Sequence, residues 1–251
     1  MTEIQVVTGA SSGVGRALCK YLAQHDYTVM GLARRQPELE ALQAEYPRQI
    51  HIMSVDLGTC EGREQVRQRI EGEFLVRNIV HSAAIATGGF LRDLSYQRYR
   101  EMMAINVEAP LFLTQALLPC MCSGARVLHL SSGSAYRAVA YNGLYSISKA
   151  ALLMLYKAWN ADFAEEEIVV GSAMPGVVDG PMQDAAREGD HPGVEMFRDY
   201  KDKGLLIQPE RVAEFLFWLL FITSDREFSA QDWNIFEESH HGNWLHRPLS
   251  G

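Results

Sequence analysis

Residues 4–15 read Ile4-Gln5-Val6-Val7-Thr8-Gly9-Ala10-Ser11-Ser12-Gly13-Val14-Gly15. The apolar run 4–8 has the length and composition of a buried strand, and Val14, Leu18, Tyr21 and Leu22 then recur at helical spacing. Glycines at 9, 13 and 15 permit a tight turn, close backbone approach and close helix–strand packing. The helix N-terminus turns unpaired N–H groups and a positive dipole end toward that turn. Together Gly9, Ser11, Ser12, Gly13, Val14 and Gly15 predict a cradle for a pyrophosphate. Three glycines alone would be an ordinary turn; the strand before them and the helix after them make this a dinucleotide loop.

Working outward, short apolar runs recur at 27–33, 50–55, 78–82, 126–131, 168–173 and, more weakly, 232–236. Helical patterns near 37–46, 60–73, 95–121, 145–165 and 209–223 separate them, after the first at 13–25. Near-continuous apolar strands alternating with helices predict an α/β fold: one doubly wound Rossmann domain over 1–251, with a mostly parallel seven-stranded sheet and helices on both faces. Such sheets bind ligands at the carboxyl ends of their strands, where the strand order reverses. Residues 177–208 break the rhythm with Pro, Gly and dense charge, and are expected to form a substrate-covering flap.

Composition narrows the function. The chain has 251 residues, 47% hydrophobic and 22% charged, which excludes disordered and collagen-like classes. Its net charge of −8 argues against a nucleic acid or an anionic membrane as partner. The N-terminus lacks a basic segment followed by an apolar one, and the apolar run 215–222 is far short of the roughly 20 residues of a membrane span. Cys19, Cys60, Cys120 and Cys122 show no disulfide framework and read as reduced thiols of a cytoplasmic protein.

The second strand ends in Arg34-Arg35, with no Asp or Glu from 27 to 35. An acidic residue there would grip the ribose hydroxyls of NAD, whereas an arginine accommodates the 2′-phosphate of NADP. NADP(H) is therefore the expected cofactor, and the competing reading is that one or both arginines, Arg35 above all, are solvated loop charges.

The strand 126–131 ends in serines, and Tyr145-Ser-Ile-Ser-Lys149 follows thirteen residues after Ser132. Tyr and Lys four apart share a helix face. An isolated phenol titrates near 10, and a neighbouring ammonium brings it closer to the useful range for proton transfer. A serine hydroxyl beside it can polarise a substrate carbonyl.

These motifs resemble the classical short-chain dehydrogenase/reductase family over essentially the whole chain. The matching residues are Thr8-Gly9-x-x-x-Gly13-x-Gly15, Asp56-Leu57, Asn106, Ser132, Tyr145, Lys149 and Pro175-Gly176. The resemblance implies that Tyr145 is the general acid in reduction, while Lys149 lowers its pKa and holds the nicotinamide ribose. Ser132 orients the carbonyl and Asn106 supports a proton relay. Asp56 contacts adenine with Leu57 alongside, and Ser82, Ala83, Ala84, Pro175, Gly176 and Val178 line the cofactor. Competing readings remain: Asn106 as a brace for a helix kink before Pro110, Asp56 as a cap, and Ser131 in place of Ser132.

The sequence departs from the family at His81-Ser82-Ala83-Ala84, where Asn-Asn-Ala-Gly is usual, and at Gly180, where Thr is common. The expected activity is NADP(H)-dependent carbonyl reduction or alcohol oxidation on a small molecule. The alternatives are a non-catalytic NADP(H)-binding redox sensor and an NAD-dependent dehydrogenase. Residues 134–143, with Tyr136 and Tyr141, and the flap residues Met182, Met196 and Phe197 are the candidate substrate contacts. The pattern through Met182-Gln183 is similar to sepiapterin-reductase-like and benzil-reductase-like members. The tail, with Trp233, His240, His241 and Trp244, lacks metal-ligand spacing and is expected to dock or to contact another subunit. No metal is expected, and the apolar helix 107–118 suits a homodimer or homotetramer.

Overall fold

The computed structural model describes residues 1–163, 167–188, 191–246 and 249. Seven strands form one sheet: β1(Thr2–Thr8), β2(Val29–Ala33), β3(Ile50–Ser54), β4(Phe74–His81), β5(Met121–Leu130), β6(Val169–Met174) and β7(Asp232–Asn234). Their order is β3-β2-β1-β4-β5-β6-β7, and every pairing is parallel. The chain winds outward from β1 to β3, then returns to β4 on the other side of β1. The order therefore reverses between β1 and β4, which sets the binding crevice at their carboxyl ends.

Both faces are covered. Val7 joins one apolar core and Val6 the other, as alternation along a strand requires. The first core packs beneath α1(Gly13–Gln24) and α9(Pro209–Phe221), with Leu18, Leu22, Phe215 and Leu219 fully buried. The second lies beneath α3(Cys60–Ile70), α5(Ala109–Leu117) and α6(Gly143–Asp162), around Val66, Leu113 and Val127. The chain also forms α2(Gln36–Glu45) and α4(Tyr96–Met103).

Three expectations are refined. The helix predicted over 95–121 is interrupted: a π-helical turn at Ala104–Glu108 separates α4 from α5, with Pro110 in the first turn that follows. Strands β4 and β5 begin earlier than their apolar runs, because Arg77 and Ser123–Gly124 interrupt the pattern at paired ends. The flap carries α7(Pro181–Ala186) and α8(Val194–Asp202), and a bridge between Val178 and Ile207 closes its base. Positions 189 and 190 of that flap, and 164 and 165 at the predicted end of α6, lie outside the described residues.

By length and composition the helical run Tyr96–Cys120 could cross a membrane, although no single apolar stretch suggested it. Its inward residues Met102, Leu113 and Leu117 are fully buried in the protein. The tail docks onto α9. His240 stacks on Phe215 and Trp218, accepts the Trp244 indole N–H at 2.9 Å and bonds the Asn234 carbonyl at 3.0 Å. Among the described residues, no group of three His, Cys, Asp or Glu is arranged to hold a metal.

Candidate active site

The glycine loop sits at the end of β1. A Cβ on Gly9, where φ is +72°, would come within 3.0 Å of the Ala83 backbone, and one on Gly15 within 2.5 Å of the Gly9 carbonyl oxygen. These positions let the loop, the helix and the turn after β4 approach as closely as they do. Thr8 ties them together, its hydroxyl accepting from Ala83 N at 2.9 Å. Ser12 is the extended residue before α1, so the first N–H groups of α1 have no intrahelical partner. The start of the flap reaches the same place: a Cβ on Gly180 would lie 3.9 Å from Gly13 Cα.

The two arginines after β2 behave differently. Arg35 reaches Ser11 of the loop, donating from Nε at 3.2 Å and from its guanidinium at 3.0 Å, with Glu38 3.6 Å away. Arg34 is exposed, and its carbonyl accepts from Ser54. Asp56 caps the turn before α3 by accepting from Gly58 N at 2.9 Å, and its carboxylate remains exposed. Leu57 beside it is buried in the second core.

On the other side of β1, the end of β5 meets α6. Tyr145 and Lys149 stand one turn apart, with the Lys149 ammonium 5.6 Å from the centre of the Tyr145 ring. Lys149 is buried and donates to the Leu130 carbonyl at 2.7 Å. Burial holds its pKa down to about 8, with the negative charge of Asp232 opposing. Burial also pushes the Tyr145 phenol up to about 12, and the opposing influence is the hydrogen-bonding Ser132 hydroxyl. The influences on the phenol are thus burial and the Ser132 hydroxyl, and burial favours the protonated form.

The two serines differ in their partners. Ser131 Oγ donates to Asp232 at 2.6 Å, whereas Ser132 Oγ accepts from Ser134 N at 3.1 Å and faces Tyr145. Asn106 sits in the π-helical turn and clasps Ile85, accepting from its N–H and donating to its carbonyl, both at 2.9 Å. It also donates to Ser148 at 3.0 Å. Asn106 thus braces the helix irregularity and ties the loop segment at Ile85, after β4, to the helix that carries Lys149.

Sequence reasoning missed Asp232. Its carboxylate accepts from Ser131, from Ser172 at 2.7 Å and from Tyr136 at 2.9 Å. The available signal was an acidic residue opening a weak apolar run. Also missed was the buried pair His81 and His129, stacked with ring centres 5.0 Å apart. Burial holds His129 at about 3 and His81 well below the usual range, so both rings are neutral.

Two of the expected substrate contacts, Tyr141 and Phe197, belong to an aromatic cluster. Tyr141 stacks on His191 of the flap at 4.7 Å and meets Phe90 edge-on at 5.3 Å, with Phe197 6.5 Å from His191. Met182 and Met196 are exposed, 40% and 36%, rather than packed inward. Pro175, Gly176 and Val178 lead from β6 into the base of this flap.

The family model for short chain dehydrogenase matches residues 3–191. A short chain dehydrogenase of Pseudocercospora fijiensis is 32% identical over 207 residues, covering 77% of this chain and 66% of its own. The NADPH-dependent 3-dehydrocapnine reductase of Ornithobacterium rhinotracheale is 26% identical over 197 residues, covering 74% and 69%. Among solved structures, the KRED1-Pglu enzyme superposes with a TM-score of 0.84 at 24% identity, covering 93% of this chain and all of that one. With the parallel sheet and the loop, serine, tyrosine and lysine already in place, these matches settle the family: the chain belongs to the short-chain dehydrogenase/reductase oxidoreductases, which transfer hydride.

Proposed function

We propose that this protein is an NADP(H)-dependent carbonyl reductase in which Tyr145 is the general acid. The observation that carries this reading is the facing pair of Ser132 and Tyr145, with Lys149 one turn on, at the carboxyl ends of the strands beside the switch point. The chain's own residues fit the dinucleotide. Gly9 and Gly15 let the loop pack tightly under the start of α1, and a Cβ on Gly13 would meet nothing within 4 Å, which leaves open space over the loop. Arg35 stands over Ser11 where a 2′-phosphate favours a guanidinium. Gly9 to Gly15 and Arg35 would hold the phosphates, Asp56 and Leu57 the adenine, and Ser82 to Ala84 with Pro175, Gly176 and Val178 the remainder. Tyr145 and Lys149 would meet the nicotinamide ribose.

When bound, the reduced nicotinamide supplies a hydride. Ser132 orients the carbonyl oxygen by hydrogen bonding, and Tyr145, held in its protonated form, gives its proton to that oxygen as negative charge develops. Lys149 stabilises the phenolate left behind, and Asn106 keeps the turn after β4 and the start of α6 in register. The aromatic cluster of Phe90, Tyr141, His191 and Phe197 favours an apolar, planar carbonyl substrate. Phe112, Ile147 and Met154, exposed on α5 and α6, support pairing into a homodimer or homotetramer.

The test is cofactor oxidation with NADPH and with NADH against diketones, aromatic aldehydes, quinones and pterin-like ketones. Turnover that prefers NADPH supports the proposal. Faster turnover with NADH would contradict the reading of Arg35.

A further inference from the structure

One register row crosses four strands of the sheet: His81 of β4 pairs with His129 of β5, His129 with Ser172 of β6, and Ser172 with Asp232 of β7. Residues in register share a face of the sheet. This face is the one under α5 and α6, since His81 bonds Thr114 of α5 at 2.8 Å and Lys149 of α6 bonds the end of β5. His81, His129 and Ser172 are 3%, 0% and 0% exposed, so a polar row occupies ground that apolar side chains would fill more favourably.

Asp232 ends the row, and its partners flank the reacting centre. Ser131 and Tyr136 both donate to this one carboxylate, at 2.6 Å and 2.9 Å, and Ser132 lies between them in sequence. The carbonyl just before Ser131, that of Leu130, takes the Lys149 ammonium. We infer that Asp232 is a positioning residue for the proton-transfer centre: its carboxylate clamps both sides of Ser132 and sets a polar anchor at the strand end that holds Lys149. This inference rests on the reductase reading above.

The other titratable groups around Lys149 and Asp232 are His129 and His81 from the sheet, Tyr145 and Tyr156 from α6, and Tyr136. The histidines are held neutral by burial, and burial, with Asp232 adding to it for Tyr136 and Tyr156, raises all three tyrosines. Among the described residues, the ionic side chains left in this neighbourhood are Lys149 and Asp232. Removing the carboxylate charge removes the influence that opposes burial at Lys149.

The deciding variant is Asp232→Asn, which keeps an oxygen for the hydroxyl donors and loses the charge. With saturating NADPH, the pH at which kcat/KM falls on the alkaline side is expected to drop by about one unit relative to wild type. Asp232→Val, which also removes the clamp, is expected to lower kcat by about 10- to 100-fold with the KM for NADPH unchanged. A profile for Asp232→Asn that superimposes on wild type overturns the inference. Tyr145→Phe is run alongside: if it keeps its turnover, the reductase reading itself fails. If Tyr145→Phe is inactive while Asp232→Asn matches wild type, only the role of Asp232 falls.

Discussion

The Lys149 ammonium stands 5.6 Å from the centre of the Tyr145 ring while its proton is committed to the Leu130 carbonyl at 2.7 Å. Burial acts on the two groups in opposite senses, pulling the lysine toward neutrality and holding the phenol protonated. The lysine, not the tyrosine, is therefore the group that titrates nearest neutrality. The rate of carbonyl reduction is expected to fall as pH rises through about 8, where Lys149 loses its charge. A pH profile of kcat/KM checks this, and a flat profile up to the tyrosine range would count against it.

Arg35 donates two hydrogen bonds to Ser11 at the rim of the glycine loop. Arg35→Ala is expected to raise the KM for NADPH by about 10- to 100-fold, the worth of a charge-assisted bond to phosphate, and to leave that for NADH nearly unchanged. Steady-state kinetics with both cofactors measure the difference. Arg34→Ala, which leaves the bonds from Arg35 to Ser11 in place, is expected to have the smaller effect.

The buried histidines make stability depend on pH. A histidine whose folded pKa is depressed resists protonation, so its folded-state advantage is complete above the unfolded value of 6.5 and is lost progressively as pH falls toward the folded value, about 3 for His129. Thermal melts are expected to show Tm falling from about pH 6.5 downward. His129→Leu should flatten that slope, and an equally steep slope in the variant would assign the acid sensitivity to other groups.

The flap is fastened to the substrate side by the stacked rings of His191 and Tyr141, nearly parallel at 8°. His191 is fixed in turn by the Ala186 carbonyl and the Gly193 N–H. His191→Ala is expected to raise the KM for the carbonyl substrate by about 2- to 10-fold, the worth of one aromatic contact, with kcat and the KM for NADPH little changed. A variant with wild-type KM would remove the stacked pair from the substrate's path.

What could be read in advance follows the range of the forces involved. The strand, glycine turn and helix over 4–24, and the pairing of Tyr145 with Lys149, are encoded within a few residues of each other, and the structure places them as read. The break in the helix after Met103 and the two helices of the flap were less legible, because neighbouring elements rather than local propensity decide them. Asp232 was harder still to read from the sequence. Its partner Ser131 lies 101 residues away, and only the register of four strands brings Asp232 into line with Ser172, His129 and His81.

The central claim is that Tyr145 delivers the proton. The most direct measurement compares wild type with Tyr145→Phe in NADPH oxidation on a carbonyl substrate, with NADPH affinity measured on both by fluorescence titration. The account predicts a loss of about 10²- to 10⁴-fold in kcat with cofactor affinity intact. Comparable turnover in the variant would contradict it.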